Sequence, residues 1–280
     1  MAFWNHKTVL GTARAVVAKL ADDQIPGRAA QMAFYYFLSL FPTFVIVMAA
    51  VHLFADAQWL VRNAVLWRLD TVAPRQAAAF FGPLLDHLAA MPRVSIAWGP
   101  IALWAASSGM AATIHGLNAA WGIDDSRGWL RSRLIGLALT LVLLLLTTLA
   151  MLLLAFGDPF ARALAERNGW PPAFVLAWRI GHWPLALALV MLAFELLYHF
   201  GPNRPHPRWR WLSAGTLLAL TVWLAASFGL NWYVSNVRNY SAAYGPIGAV
   251  IVLMLWLYLT SIAILAGAEV NARLEKESPA

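Results

Sequence analysis

Apolar residues run in six long stretches along the chain, at 33–53, 94–118, 134–156, 174–200, 211–234 and 247–268. A helix rises about 1.5 Å per residue, so some 20 residues cross the ~30 Å hydrocarbon core of a bilayer. Each stretch therefore predicts a transmembrane helix. Breaks separate them: Pro92 precedes the second, Gly157-Asp158-Pro159 follows the third, and Gly201-Pro202-Asn203-Arg204-Pro205 follows the fourth. The pattern predicts an all-α, polytopic membrane protein with six spans, forming one domain over residues 1–280.

Two segments outside the spans keep helical periodicity. Val9, Ala13, Val16, Val17 and Leu20 recur against Lys7, Arg14 and Lys19, which describes a short amphipathic helix. It either lies on the inner membrane surface or packs as a cap on the bundle. In the loop between the first two spans, Leu60, Ala64 and Trp67, then Phe80, Leu84 and Leu88, follow i, i+4 spacing. That loop is expected to be helical, resting in the outer headgroup region or folding over the bundle as a lid.

Composition extends the membrane reading to the whole chain. Apolar residues make up 61% and charged residues 12%, against roughly a quarter charged in soluble proteins. The absence of cysteine removes disulfides, thiol nucleophiles and the usual structural zinc sites. A net charge of +7 accompanies apolar segments, so its expected partners are membrane lipids, anionic ones included, and no nucleic acid.

Lys and Arg also set the orientation. With the N-terminus inside, the inner loops hold twelve of the 20, the outer loops seven, and Arg179 lies within the fourth span. Both termini are expected in the cytoplasm. The tryptophans gather near span ends, as an interfacial belt requires.

Ionisable side chains within spans are the best candidates for function, because each costs at least ~2.5 kcal/mol in lipid and turns toward the bundle interior or water. Glu195 and His199 lie four apart on the fourth span, a spacing that suits either a coupled site or a structural bond to a neighbouring helix. Arg179 and His182, nearer the outer end, read as an anion contact or as a snorkelling arginine. Asn231 in the fifth span reads as interhelical glue or part of a polar path.

In the last span, positions 244, 248, 251, 255, 258, 262, 265 and 269 share a face that aligns Tyr244, Gly248, Tyr258 and Glu269 and is expected to point inward. Gly245 and Gly248 permit close helix approach or an unwound start. Glu269 has Arg28, Arg131 or Arg133 as candidate partners, in a latch or a gate. In the first span, Ser39 and Pro42 mark a kink or a hinge.

The run 29–42, containing Tyr35, Tyr36, Ser39 and Pro42, resembles the signature of the YihY/BrkB family of bacterial inner-membrane proteins. Matching pieces follow in order: Leu117-Asn118, Leu197-Tyr198 with Pro202-Asn203, Trp232-Tyr233-Val234, Tyr244-Gly245-Pro246-Ile247-Gly248, Leu255-Trp256-Leu257-Tyr258 and Gly267-Ala268-Glu269-Val270-Asn271. The resemblance covers nearly the whole chain. It implies six spans, an N-terminal interfacial helix and cytoplasmic termini. Members carry virulence-factor labels, an older ribonuclease BN label, and a suggested lipid-translocating role.

The residues do not favour the nuclease label. Phosphodiester hydrolysis usually needs clustered carboxylates or histidines around metal ions, whereas the seven histidines are scattered without metal-ligand spacing. Neither metal nor cofactor is expected. The reading is a non-enzymatic transporter or translocator of an amphipathic anionic substrate such as a lipid, with a non-transporting envelope scaffold as the alternative.

Overall fold

A computed structural model of the chain describes residues 24–52, 99–205, 209, 211–236 and 240–277. The expected N-terminal amphipathic helix and the loop periodicity at 60–88 lie outside the described residues. Six α-helices occur among those described: α1 (Gln24–His52), α2 (Gly99–Trp121), α3 (Trp129–Asn168), α4 (Pro172–Phe200), α5 (Ala214–Asn236) and α6 (Tyr240–Glu277). No strand occurs among them.

Four segments are long and apolar enough to cross a membrane: Trp129–Leu154, Pro172–Phe200, Ala214–Asn236 and Ile247–Lys276. The first two expected spans fall on α1 and α2, which are helical as anticipated but are not among those four.

Small residues set the packing. Lipid tails are as apolar as leucine, so helices in a bilayer associate through close van der Waals contact and interhelical hydrogen bonds. A Cβ at Gly109 would lie 2.9 Å from the Tyr36 ring and 3.0 Å from Ser39 Oγ, and one at Gly116 would meet Leu265 and Met32 at 3.0 and 3.1 Å. These glycines seat α2 against α1 and α6. Ala29, Met32, Ile114, Leu117, Leu265 and Ala268 form the centre of the core. Large apolar residues such as Leu145, Ile180, Phe228 and Ile247 face outward, where they suit a lipid environment.

Two helical elements depart from expectation. The Gly157-Asp158-Pro159 break does not end α3, which continues to Asn168 and stops at Gly169 with φ +67°. There the glycine amide donates to the Ala165 carbonyl, a left-handed cap that glycine adopts without a Cβ penalty. Gly157 serves packing: a Cβ there would meet the His182 side chain at 3.1–3.4 Å, so its absence lets α4 lie close against α3.

The inward face of the last span is also corrected. Gly248, Leu265 and Glu269 are buried, but Ile251 and Leu255 are exposed at 42% and 40%. Toward its C-terminal end every residue from Ala263 to Glu269 is buried, because α1, α2 and α5 all pack on α6. Helical periodicity assigns one buried side to a helix and cannot describe one surrounded by neighbours. Helix α6 is continuous from Tyr240, so Gly245 and Pro246 lie within it; the side chains of Tyr244 and Gly245 are outside the described residues.

Near the start of α3, the Trp129 ring lies 5.7 Å from that of Trp104 on α2. Arg133 follows it, donating to the Trp104 carbonyl at 2.6 Å with its guanidinium 4.3 Å from the Trp104 ring centre.

Candidate functional site

The buried polar groups concentrate where α4 ends, α5 begins and α6 nears its end. Glycines make this junction. A Cβ on Gly267 would collide with the Tyr198 hydroxyl and the Gly215 carbonyl, and one on Gly215 with the Gly267 carbonyl and the Asn271 amide. Backbone therefore meets backbone between α5 and α6. Tyr198, 2% exposed, fills the space beside them and donates to the Ile264 carbonyl at 2.9 Å.

The start of α5 has four amides without helical partners, and burial makes each costly to leave unpaired. Side chains from three elements supply acceptors. Ser213 Oγ accepts from the Thr216 amide at 3.2 Å, as an N-cap serine does. Asn271 Oδ1 accepts from the Gly215 amide at 2.9 Å, while its Nδ2 donates to Ser213 Oγ at 2.9 Å. The Ser213 amide donates to Glu195 Oε1. Glu195 is 5% exposed, and its carboxyl group sits at the N-terminal end of α5, where the helix dipole is positive.

A second group of contacts lies beyond this cap. Arg204, in the α4–α5 loop, donates to Glu275 Oε2 at 2.7 Å and to the Tyr198 and His199 carbonyls at 2.8 and 3.4 Å. Its guanidinium also lies 5.1 Å from the Trp121 ring centre, and Trp121 Nε1 donates to the same Glu275 oxygen at 2.9 Å. Asn118 Oδ1 accepts from the Asn203 amide at 2.8 Å. Arg127 binds Asp125 at 2.8 Å and the Gly201 carbonyl at 2.9 Å, fixing the α2–α3 loop to the end of α4. Burial alone would raise the Asp125 pKa, but the hydrogen bonds and charge of Arg127, with Ser132, hold it below the usual carboxylate value.

The structure separates most of the candidates read from sequence. Glu195 turns to Ser213, while His199 lies edge-on to Trp209 with ring centres 5.0 Å apart, so the i, i+4 pair shares no hydrogen bond. Arg179 is exposed on α4, 16 positions from Glu195 and so ~24 Å along the helix. His182 is 3% exposed, with its Nδ1 hydrogen donated to the Trp178 carbonyl at 3.0 Å. Glu269, also 3% exposed, lies 3.8 Å from Arg273 on the next turn of its own helix, while Arg133 is engaged at Trp104.

Tyr258 is half-buried against the core, and Trp256 Nε1 donates to Ser227 at 3.0 Å in the seam of α5 with α6. Asn231 is half-buried on α5. Tyr36 shares a 2.6 Å hydrogen bond with Thr113, joining α1 to α2, and Tyr35 is exposed. Ser39 and Thr43 bond back to the Tyr36 and Ser39 carbonyls on either side of Pro42, at 2.8 and 2.7 Å.

Sequence reasoning missed the roles of Asn271, Arg204, Glu275 and Trp121. Ser213 ahead of an apolar run carried an N-cap signal that could have located the α5 start. Nothing local to Asn271 or Glu275 announces a partner more than fifty positions away. Among the described residues, no group of three or more His, Asp or Glu is placed to hold a metal ion.

Long apolar helices packed through glycines, with polar bonds confined to their ends and seams, define an α-helical integral membrane protein. The family model described as Virulence factor BrkB matches residues 16–280, and the chain belongs to that family. It is 32% identical over 252 residues to the ribonuclease-like protein YfkH of Bacillus subtilis, covering 89% of this chain and 90% of that protein.

UPF0761 membrane proteins are also similar. One from Laribacter hongkongensis is 30% identical over 259 residues, covering 88% of this chain and 57% of the relative. Another from Chromobacterium violaceum is 24% identical over 269 residues, covering 94% and 62% respectively. The chain thus spans about three-fifths of those relatives' length. No solved structure matches.

Proposed function

We propose that the chain is a six-span inner-membrane translocator that moves an amphipathic anionic substrate such as a lipid, with both termini in the cytoplasm. The observation that carries this reading is how the bundle divides. Helices α3 and α4 pack extensively on each other, as do α5 and α6, whereas contact between α4 and α5 is sparse. On α4, Ala193, Phe194, Glu195, Leu197 and Tyr198 are buried near the junction, while residues 187–192 are exposed or half-buried.

The α3–α4 pair, which also rests on α2, meets the α5–α6 pair directly only over this limited contact; on our reading it rocks about that joint, in which the Glu195–Ser213 hydrogen bond lies. Rocking would vary the width of the space between α4 and α5, where a lipid tail remains in the bilayer while its headgroup passes. Basic residues on both predicted faces suit an anionic headgroup.

The test uses purified protein in liposomes with headgroup-labelled anionic lipid. Translocation above the protein-free rate, reduced in Glu195→Gln and Glu269→Gln proteins that still insert and fold, is the expected result. Flipping at the protein-free rate refutes the reading. A scaffold without transport is the second reading, favoured by the commitment of Glu195 to a helix cap; on that reading neither substitution alters envelope function. We also propose that the chain is not an enzyme, and RNA cleavage by rigorously purified protein would overturn this.

A further inference from the structure

We infer that Arg133, beside Trp104 and Trp129 where α2 meets the start of α3, is a binding site for the phosphate of an anionic phospholipid. Arg133 is the fifth residue of the Trp129–Leu154 segment, which is apolar enough to cross a membrane. It therefore lies about 6 Å along the axis from the end of that segment, a depth at which hydrocarbon gives way to headgroups. A cation there calls for an anion.

The protein supplies none. The guanidinium is held in place, since Nη2 donates to the Trp104 carbonyl at 2.6 Å and Cζ stands 4.3 Å from the centre of the Trp104 ring. Both contacts orient a positive charge without neutralising it. Its Nε is buried with no hydrogen-bond partner, and among the described residues no carboxylate pairs with the group. Asp125, the acidic residue nearest to it in sequence, is spent on Arg127 and Ser132.

The surroundings select the kind of anion. Trp129 is 71% exposed, and Trp104, Ile101, Leu130 and Leu134 on the same two helices are exposed as well. Large apolar side chains facing outward at the end of a span suit acyl chains, so a charge among them meets a phosphate carried by a lipid before one dissolved in water. A stacked, planar guanidinium also presents paired N–H groups that match phosphate oxygens, which a lysine ammonium does not. The site does not require translocation, because a lipid bound here can stay in its leaflet; its test therefore reads binding, while flipping in liposomes tests the other reading separately.

Full-length protein in detergent would be titrated with short-chain phosphatidylglycerol and the bound lipid counted by native mass spectrometry. Native protein should bind one phosphatidylglycerol more tightly than phosphatidylcholine of equal chain length. Arg133→Gln should weaken that binding about tenfold, the scale of one charge-assisted hydrogen bond. Arg133→Lys, which keeps the charge and loses the stacked fork, should fall between the two. Trp129→Ala, at a ring too exposed to support the fold, should weaken binding as well, so the test stands even where Arg133→Gln fails to fold. Arg131→Gln removes an exposed charge two residues away and should leave binding unchanged.

Equal affinity for phosphatidylglycerol in the native, Arg133→Lys and Trp129→Ala proteins overturns the inference. An equal loss in Arg131→Gln overturns it too, since that would mean diffuse attraction to a positive surface. So does equal affinity for phosphatidylcholine, or displacement of the lipid by an equal concentration of inorganic phosphate, which would mean a site for soluble anions.

Discussion

Adding one methyl group at Gly267 should weaken the protein, while the same change at Gly229 should not. A Cβ at position 267 would lie 2.5 Å from the Gly215 carbonyl oxygen and 2.9 Å from Ala219 Cβ, and closer still to the Tyr198 hydroxyl. Ordinary contact needs 3.4–4 Å, so α5 and α6 must separate by about 1 Å. Overpacking of this kind costs about 1–3 kcal/mol.

Separation also strains the Tyr198–Ile264 and Asn271–Gly215 hydrogen bonds, each worth about 1 kcal/mol. The total is ~3 kcal/mol, offset by up to about 1 kcal/mol from alanine's better helix propensity. At Gly229 an added Cβ meets nothing within 4 Å, leaving only the favourable term. Thermal unfolding in detergent, followed by tryptophan fluorescence, should place Gly267→Ala about 5 °C or more below Gly229→Ala. A Gly267→Ala protein as stable as Gly229→Ala would refute the backbone-to-backbone contact and the junction built on it.

Asn271→Ala should cost about 2 kcal/mol by removing the acceptor of the Gly215 amide and the donor to the Ser213 hydroxyl, whereas Thr221→Ala, exposed on α5, should cost less than half as much; denaturant titration compares them. Glu195→Gln retains an oxygen for the Ser213 amide and should fold, while Glu195→Leu should lower the yield of folded protein in detergent by several-fold, measured by size-exclusion chromatography. Asp125 has a folded pKa below its ordinary value of 3.8, so its contribution is fully present above that value and is lost as pH falls through the depressed one. Hydrogen exchange in the 122–128 loop should therefore accelerate below about pH 4 in the native protein, and Asp125→Asn should exchange fast at neutral pH with no further acid step.

Length and hydropathy made the helices at 174–200 and 211–234 legible, and the structure places α4 and α5 there. Glycine, proline and aspartate at 157–159 predicted a stop, since that signal assumes a helix without neighbours. Packing of His182 against Gly157 outweighed it. Glu195 was recognisable as a buried carboxylate, but the spacing that suggested His199 as its partner concerns one helix surface only. A buried carboxyl oxygen needs a donor, and here it is the Ser213 amide at the start of another helix.

The sequence by itself determined the medium of this protein and the family to which it belongs. Long uncharged apolar segments exclude water, and motifs in order along the chain require no knowledge of packing. Tertiary structure alone decided that Gly215 meets Gly267, that Asn271 and Glu195 cap α5, and that Arg204 and Trp121 share Glu275. Those contacts join residues from 18 to 154 positions apart. Their partners are selected by helix crossings, which depend on the shapes of the packed helices together and leave no local periodic trace.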